Sequence, residues 1–189
     1  DQMTDMIESV LTYTRAEMSA EEPVQLSLTS LVQSVVADYE DIGKPVAFAE
    51  TPHAIVERGR SVFSGDSGSR RVMREDARRV LVIARPISLR RALSNLIDNA
   101  LKYGRRATLS VTATSTTASI FVEDAGTTLS EQELEKLIGP FSRGDNAQLV
   151  DGVGLGLTIV STIARQHGGR LEFDRSTTGL RASLHITRY

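Results

Sequence analysis

Asn95-Leu-Ile-Asp-Asn99-Ala-Leu-Lys102-Tyr103 is the stretch on which the reading of this chain turns. It ends a run that opens at Pro86, a residue suited to the first turn of a helix because its missing N–H would have no partner there. Leu93, Leu96, Ile97, Ala100 and Leu101 recur at helical spacing and make an apolar stripe. Asn99 lies four residues after Asn95, with Lys102 and Tyr103 three and four residues beyond it, so these side chains form a second, polar stripe. Asparagine is a mediocre helix former, and two in one helix interior call for a reason. A solvated face is one. The other is chemistry: an amide oxygen can ligate a hard cation such as Mg²⁺, and a lysine on the same face can meet phosphate.

Two further stretches lie downstream. Ile120-Phe121-Val122 reads as a strand running into Glu123-Asp124-Ala125-Gly126, an aspartate at a strand end before a turn. Such a carboxylate either marks the turn or accepts a hydrogen bond from an exocyclic amine. Asp151-Gly152-Val153-Gly154-Leu155-Gly156-Leu157 precedes a helical pattern of Leu157, Val160, Ile163 and Ala164. Glycines at a helix entrance let phosphate oxygens approach backbone N–H groups, though they also simply loosen a chain. The spacing is neither a dinucleotide fingerprint nor a Walker A loop.

Outward from these motifs, the elements alternate. Val24, Leu26 and Leu28 predict a half-buried strand, followed by a helix capped at Thr29 or Ser30 with Leu31, Val32, Val35 and Val36 inward. Short strands are expected at 46–49 and, buried, at 80–83. The central helix runs 86–103. Strands follow at 107–114 and 118–123, a short helix after Ser130, a helix near 154–167 stopped by Gly168-Gly169, and strands at 170–174 and 181–187. Hairpins mixed with helices on one face predict an α+β sandwich. Residues 1–18 carry Met3, Ile7 and Val10 at helical spacing, and Ser19 to Pro23 is a linker. The stretch Glu57–Arg79 holds seven arginines with Ser and Gly and predicts an exposed loop.

Composition narrows the chemistry. With 22 basic and 24 acidic residues in 189, no bulk field draws the chain to nucleic acid. The absence of cysteine excludes disulfides, thiolate metal sites and a thiol nucleophile. The three histidines, His53, His167 and His185, have no zinc-ligand spacing. No apolar run is long enough to span a bilayer, and the start has no signal-peptide character. The sequence therefore reads as a cytoplasmic piece of a longer protein.

Taken in order, Asn95 to Tyr103, Asp124-Ala-Gly126, Pro140-Phe141-Ser-Arg143-Gly-Asp and Asp151-Gly-Val-Gly154-Leu-Gly156 resemble the ATP-binding domain of bacterial two-component sensor histidine kinases. They match its asparagine, first glycine, phenylalanine and second glycine boxes. Arg143-Gly144-Asp145 is similar to the osmosensor subgroup. The resemblance covers residues 24–189, and residues 1–18 look like the second helix of the family's dimerisation hairpin. It implies a Bergerat-type sandwich, residues 1–20 as part of the hairpin, residues 23–189 as the catalytic domain with an atypical insert at 57–79, and a lid at 139–153. It implies Mg²⁺ on Asn99 with support from Asn95, phosphate contacts from Lys102 and Arg143, and Tyr103 beside the nucleotide. Asp124 would hold the adenine amine with Gly126 making room. Gly152, Gly154 and Gly156 would wrap the triphosphate, with a backbone contact at Leu155. The implied cofactors are ATP and Mg²⁺. The implied partners are a response regulator receiver domain and a second copy through the hairpin, with a parent protein that can be anchored in the bacterial inner membrane.

Two departures stand out. Thr128 replaces the second glycine of Asp-x-Gly-x-Gly, which strains a backbone needing positive φ. The family's acceptor histidine precedes an acidic residue, whereas His53, His167 and His185 precede Ala54, Gly168 and Ile186. The expected activity is therefore protein-histidine kinase in the parent, without self-phosphorylation of this chain. A degenerate kinase serving as a nucleotide- or partner-binding signalling module is the alternative. A topoisomerase or chaperone ATPase of the same fold is a third reading, and the phenylalanine box argues against it.

Overall fold

The computed structural model describes residues 21–50, 80–126 and 155–188. Strand β1 (Val24–Ser27) leads into helix α1 (Leu28–Asp41), then β2 (Val46–Phe48), β3 (Leu81–Ala84) and helix α2 (Pro86–Tyr103). Strands β4 (Ala107–Ala113) and β5 (Thr117–Asp124) follow, then helix α3 (Leu155–Gln166) and strands β6 (Arg170–Arg175) and β7 (Leu180–Thr187).

The main sheet has the order β2-β4-β5-β7-β6, parallel at β2–β4 and antiparallel elsewhere. Its register explains its two faces. Val111, Ile120 and Leu184 stand side by side across three strands, as do Leu109, Val122 and Ala182, and all are buried. The three helices pack on this apolar face. On the other face Ser119, His185 and Arg170 are neighbours, as are Glu123 and Arg181. That alternation is what a half-solvated antiparallel sheet requires. The result is the expected α+β sandwich.

Helix α2 is the central element. Leu89, Ala92, Leu93, Leu96, Ile97 and Ala100 face the core. Helix α1 is tied to it by an Arg90–Asp38 ion pair and by the Tyr39 hydroxyl donating to Asp98 Oδ1 at 2.8 Å. Burial, and then the hydrogen bond to Asp98, push the Tyr39 phenol up to about 12.

Three local expectations need correction. The cap of α1 is Ser27, whose Oγ accepts from Ser30 N at 3.2 Å, not Thr29 or Ser30. Leu28 thus opens the helix instead of ending the strand: its side chain is fully buried, and its N–H donates to Val80 O at 2.8 Å. Thr29 Oγ1 accepts from Val80 N. The strand at 80–83 is only half buried, because β3 pairs with β1 alone in a separate two-stranded sheet. Leu81 and Ile83 are therefore exposed while Val82 and Ala84 face inward. The expected features at 1–18, in the Glu57–Arg79 insert, after Ser130 and in the 139–153 lid lie outside the described residues, as do His53, Thr128, Arg143, Gly152 and Gly154.

Candidate functional site

Antiparallel packing of α2 and α3 builds one wall. Asn95 and Asn99, four residues apart, are half-buried on the side of α2 that meets the first turn of α3. The Asn95 Nδ2 donates to Arg91 O at 3.0 Å, one turn back on its own helix. That bond turns the amide oxygen outward, toward Gly156. A Cβ at position 156 would stand 3.1 Å from Asn95 Oδ1 and 4.0 Å from Asn99 Nδ2. Glycine there lets the backbone of α3 reach the asparagines. The outcome is two amide side chains beside the N-terminal turn of a helix, a place that favours anions. Lys102 and Tyr103 extend the row, both exposed, with Lys102 Nζ 5.2 Å from the Tyr103 ring centroid. Leu155 opens α3 beside Gly156.

The second wall is the end of β5. Asp124 is 5% exposed, and its Oδ1 accepts from Leu180 N at 3.1 Å. Two glycines let the chain close on it. A Cβ on Gly104 would stand 2.8 Å from Asp124 Cβ, and one on Gly179 would stand 2.2 Å from Asp124 Oδ1. Gly104 follows α2, so the helix carrying the asparagines and the strand carrying Asp124 meet at that point. Gly179 lies in the β6–β7 turn, which Ser176 pins: its N–H donates to Gly179 O at 2.9 Å and its Oγ accepts from Gly179 N at 3.0 Å. Thr178 from the same turn donates through Oγ1 to Asp124 O and accepts from Gly126 N at 2.9 Å. Gly126 has φ 110, a conformation that side chains rarely adopt, so it stays bare beside Asp124. Gly104, Gly179 and Thr178 were not among the expected site residues. Their only sequence signal was turn composition, which does not disclose the carboxylate they surround.

The two described histidines are engaged elsewhere. His167, just past α3, accepts at Nε2 from Arg85 N at 3.0 Å and makes an Nδ1–H bond to Ile163 O at 2.8 Å. Burial holds its pKa below the ordinary 6.5, with the Arg85 cation adding to the effect against the Ile163 bond. On the open sheet face, His185 Nδ1 bonds Ser119 Oγ at 2.8 Å and its Nε2 lies 3.0 Å from Glu172. Among the described residues no cluster of His, Asp and Glu could hold a metal, and no helix is long and apolar enough to cross a membrane.

A family model described as "Histidine kinase-, DNA gyrase B-, and HSP90-like ATPase" matches residues 84–188, more than half of the chain. The chain belongs to this ATPase family. As a member it is an ATP-binding domain, and α2, β5 and α3 are all inside the matched region. Its relatives are sensor kinases. The sensor histidine kinase GtrS of Pseudomonas aeruginosa is 42% identical over 106 residues, 55% of this chain and 22% of that protein. The histidine kinase domain of the E. coli osmosensor EnvZ superposes with TM-score 0.60 at 26% identity, covering 90% of this chain and 92% of that one. The histidine kinase ThkA in complex with the response regulator TrrA matches with TM-score 0.58 over 98% of this chain and 49% of that one, at 18% identity, a likeness of fold alone. The chain thus spans under a quarter of the length of the curated relatives it matches. The Bergerat sandwich expected from the four boxes is the fold of this ATPase.

Proposed function

We propose that this ATPase domain is the catalytic portion of a sensor histidine kinase. It passes the γ-phosphate of ATP to a histidine on a hairpin helix, for relay to a response regulator. The observation that carries the reading is the meeting of α3's first turn with Asn95 and Asn99, next to a buried Asp124 framed by bare backbone.

The residues present suit a Mg²⁺-nucleotide. Asn95 offers an amide oxygen directed off its helix, and Asn99 a second amide one turn on; hard oxygen donors suit Mg²⁺, which keeps several waters and needs few protein ligands. When bound, Mg²⁺ would neutralise charge on the phosphate oxygens and hold them for in-line displacement. Asn99 is proposed as the metal ligand and Asn95 as its support. The N–H groups of α3 from Leu155 and Gly156, with Lys102, face the phosphates, and Tyr103 borders them. Arg143, Gly152 and Gly154 complete the phosphate contacts in this proposal from outside the described residues. Asp124 accepts the adenine amine while its Leu180 bond fixes the carboxylate, and Gly126 leaves space for the ring. Residues 23–189 act as this domain and residues 1–20 as part of the dimerisation hairpin, in a parent anchored in the inner membrane.

The bonding of the described histidines supports an acceptor elsewhere. His167 and His185 have both ring nitrogens engaged, so neither presents a free one to a phosphoryl group. The relatives' names do not favour the degenerate-kinase alternative. The test is transfer in trans. Incubation with γ-labelled ATP, Mg²⁺ and a separate hairpin carrying a histidine-acidic pair should label the hairpin and leave the chain unlabelled. Label on His167 or His185 would overturn the placing of the acceptor elsewhere, and binding of ATP with no transfer to any hairpin would refute the kinase reading.

A further inference from the structure

The first turn of α2 is satisfied from far away in sequence. Arg85, at the N-cap, makes no side-chain cap bond. Instead the Glu21 carboxylate takes the orphan donors: Ile87 N at 2.6 Å on Oε1, and Ser88 N at 3.0 Å and Ser88 Oγ at 2.8 Å on Oε2. The Glu21 carbonyl also accepts from Arg85 Nε at 2.8 Å. Beside it, Arg85 N donates to His167, so the far end of α3 is fastened to the same corner. Helices α2 and α3 are thus joined at two places. One is this corner; the other is the Gly156–Asn95 approach at the site.

From this arrangement we infer that Glu21 is a positioning residue for the nucleotide helix. It clasps the chain entering the domain to the start of α2 and so sets where Asn95 and Asn99 stand against α3. This rests on the nucleotide reading above. An ordinary cap belongs to its own helix and moves with it. Glu21 belongs to the segment before β1, so displacement of that segment is transmitted to α2. At about 1.5 Å per residue, Asn99 is roughly 18 Å along the helix from Ile87, and a tilt of about 3° there moves it by about 1 Å. Mg²⁺ demands near-ideal geometry and tolerates little of this. Asp124 is held chiefly from the sheet, by β5 and its Leu180 bond, and meets α2 only at Gly104, so it follows a shift of the helix less than the asparagines do.

The clasp therefore predicts a split between metal and base. With the full chain, affinity for ATP with Mg²⁺ and in chelator, and for ADP in chelator, would be measured for the wild type, Glu21→Ala and Glu21→Gln. Glu21→Ala should lose about tenfold of the Mg²⁺-dependent gain, the lower end of the roughly 10–100-fold that loss of a group orienting a metal ligand costs in metal affinity. Its metal-free ADP affinity should hold, and Glu21→Gln, which keeps one acceptor oxygen, should recover part of the gain. Hydrogen exchange without nucleotide gives a second readout: Glu21→Ala should raise exchange at residues 95–103 as well as at Ile87 and Ser88. Equal loss of affinity with and without Mg²⁺, no loss in either, or faster exchange confined to Ile87 and Ser88 would overturn the inference. A wild-type chain with no Mg²⁺-dependent gain would instead refute the nucleotide reading, and the inference with it.

Discussion

Gly179→Ala places a methyl group where Asp124 already stands. The new Cβ would be 2.2 Å from Asp124 Oδ1 and 2.8 Å from Asp124 O, against an ordinary contact that begins near 3.4 Å. Relief needs about 1 Å of movement by the carboxylate, the turn or both. The turn resists, since Ser176 and Thr178 bind it to itself and to β5. The carboxylate then yields, and its bond from Leu180 N stretches or breaks. Overpacking of this kind costs about 1–3 kcal/mol, and a lost hydrogen bond to a charged group costs about 1.5–3 kcal/mol. Because the strain and the broken bond are alternative ways of relieving one clash, the expected destabilisation is about 1–3 kcal/mol. Urea unfolding of the wild type, Gly179→Ala, Asp124→Ala and the double variant measures it. In the Asp124→Ala background the contact with Oδ1 is gone, so Gly179→Ala should cost about 1–2 kcal/mol less there. Gly179→Ala should also weaken nucleotide binding that Asp124 supports. An equal cost in both backgrounds, with nucleotide affinity unchanged, would refute the claim that Gly179 is bare to admit the carboxylate.

Tyr39 should ionise near pH 12, above the ordinary phenol, with its folding contribution lost as pH rises from 10 toward that value. Phenolate absorbance should show the delayed step, and Asp98→Asn should bring it down only partly, because burial is the larger cause. His167 behaves oppositely. Its folded pKa is lowered, so its contribution is fully present above pH 6.5 and declines as pH falls below it, when the unfolded chain takes up a proton the folded ring resists. The slope from this one group is at most about 1.4 kcal/mol per pH unit. Unfolding free energies followed from pH 7 down to 5 should fall less steeply in His167→Asn, and identical slopes would show that the ring titrates freely in the fold.

The helix of the asparagines was legible from end to end, because Pro86 fixes its start and an unbroken apolar stripe fixes its face. The β4–β5 hairpin and the closing strands were equally plain, since period-two alternation survives wherever one face is solvated. Less was legible where pairing decides the outcome. Val80-Leu81-Val82-Ile83 has the composition of a buried strand, and only its lone partner β1 leaves Leu81 and Ile83 exposed. Ser27, Thr29 and Ser30 are chemically interchangeable caps, so the choice fell to the burial of Leu28. At the candidate site, Asn95, Asn99, Asp124 and Gly156 were singled out because their order is distinctive, and the fold brings Gly156 to the two asparagines. Glu21, Gly104 and Gly179 act through approaches between distant segments, which leave no spacing to read.

In the proposed function the α2–α3 junction holds the metal end of a nucleotide. Calorimetric titration of ATP into the chain, with Mg²⁺ and with chelator, for wild type and Asn99→Ala, tests it most directly. A clear gain in affinity from Mg²⁺ is expected in the wild type, largely lost in Asn99→Ala, while metal-free ATP binding is retained. Absence of binding at millimolar ATP and Mg²⁺, or an Asn99→Ala chain with an undiminished Mg²⁺ effect, would contradict it.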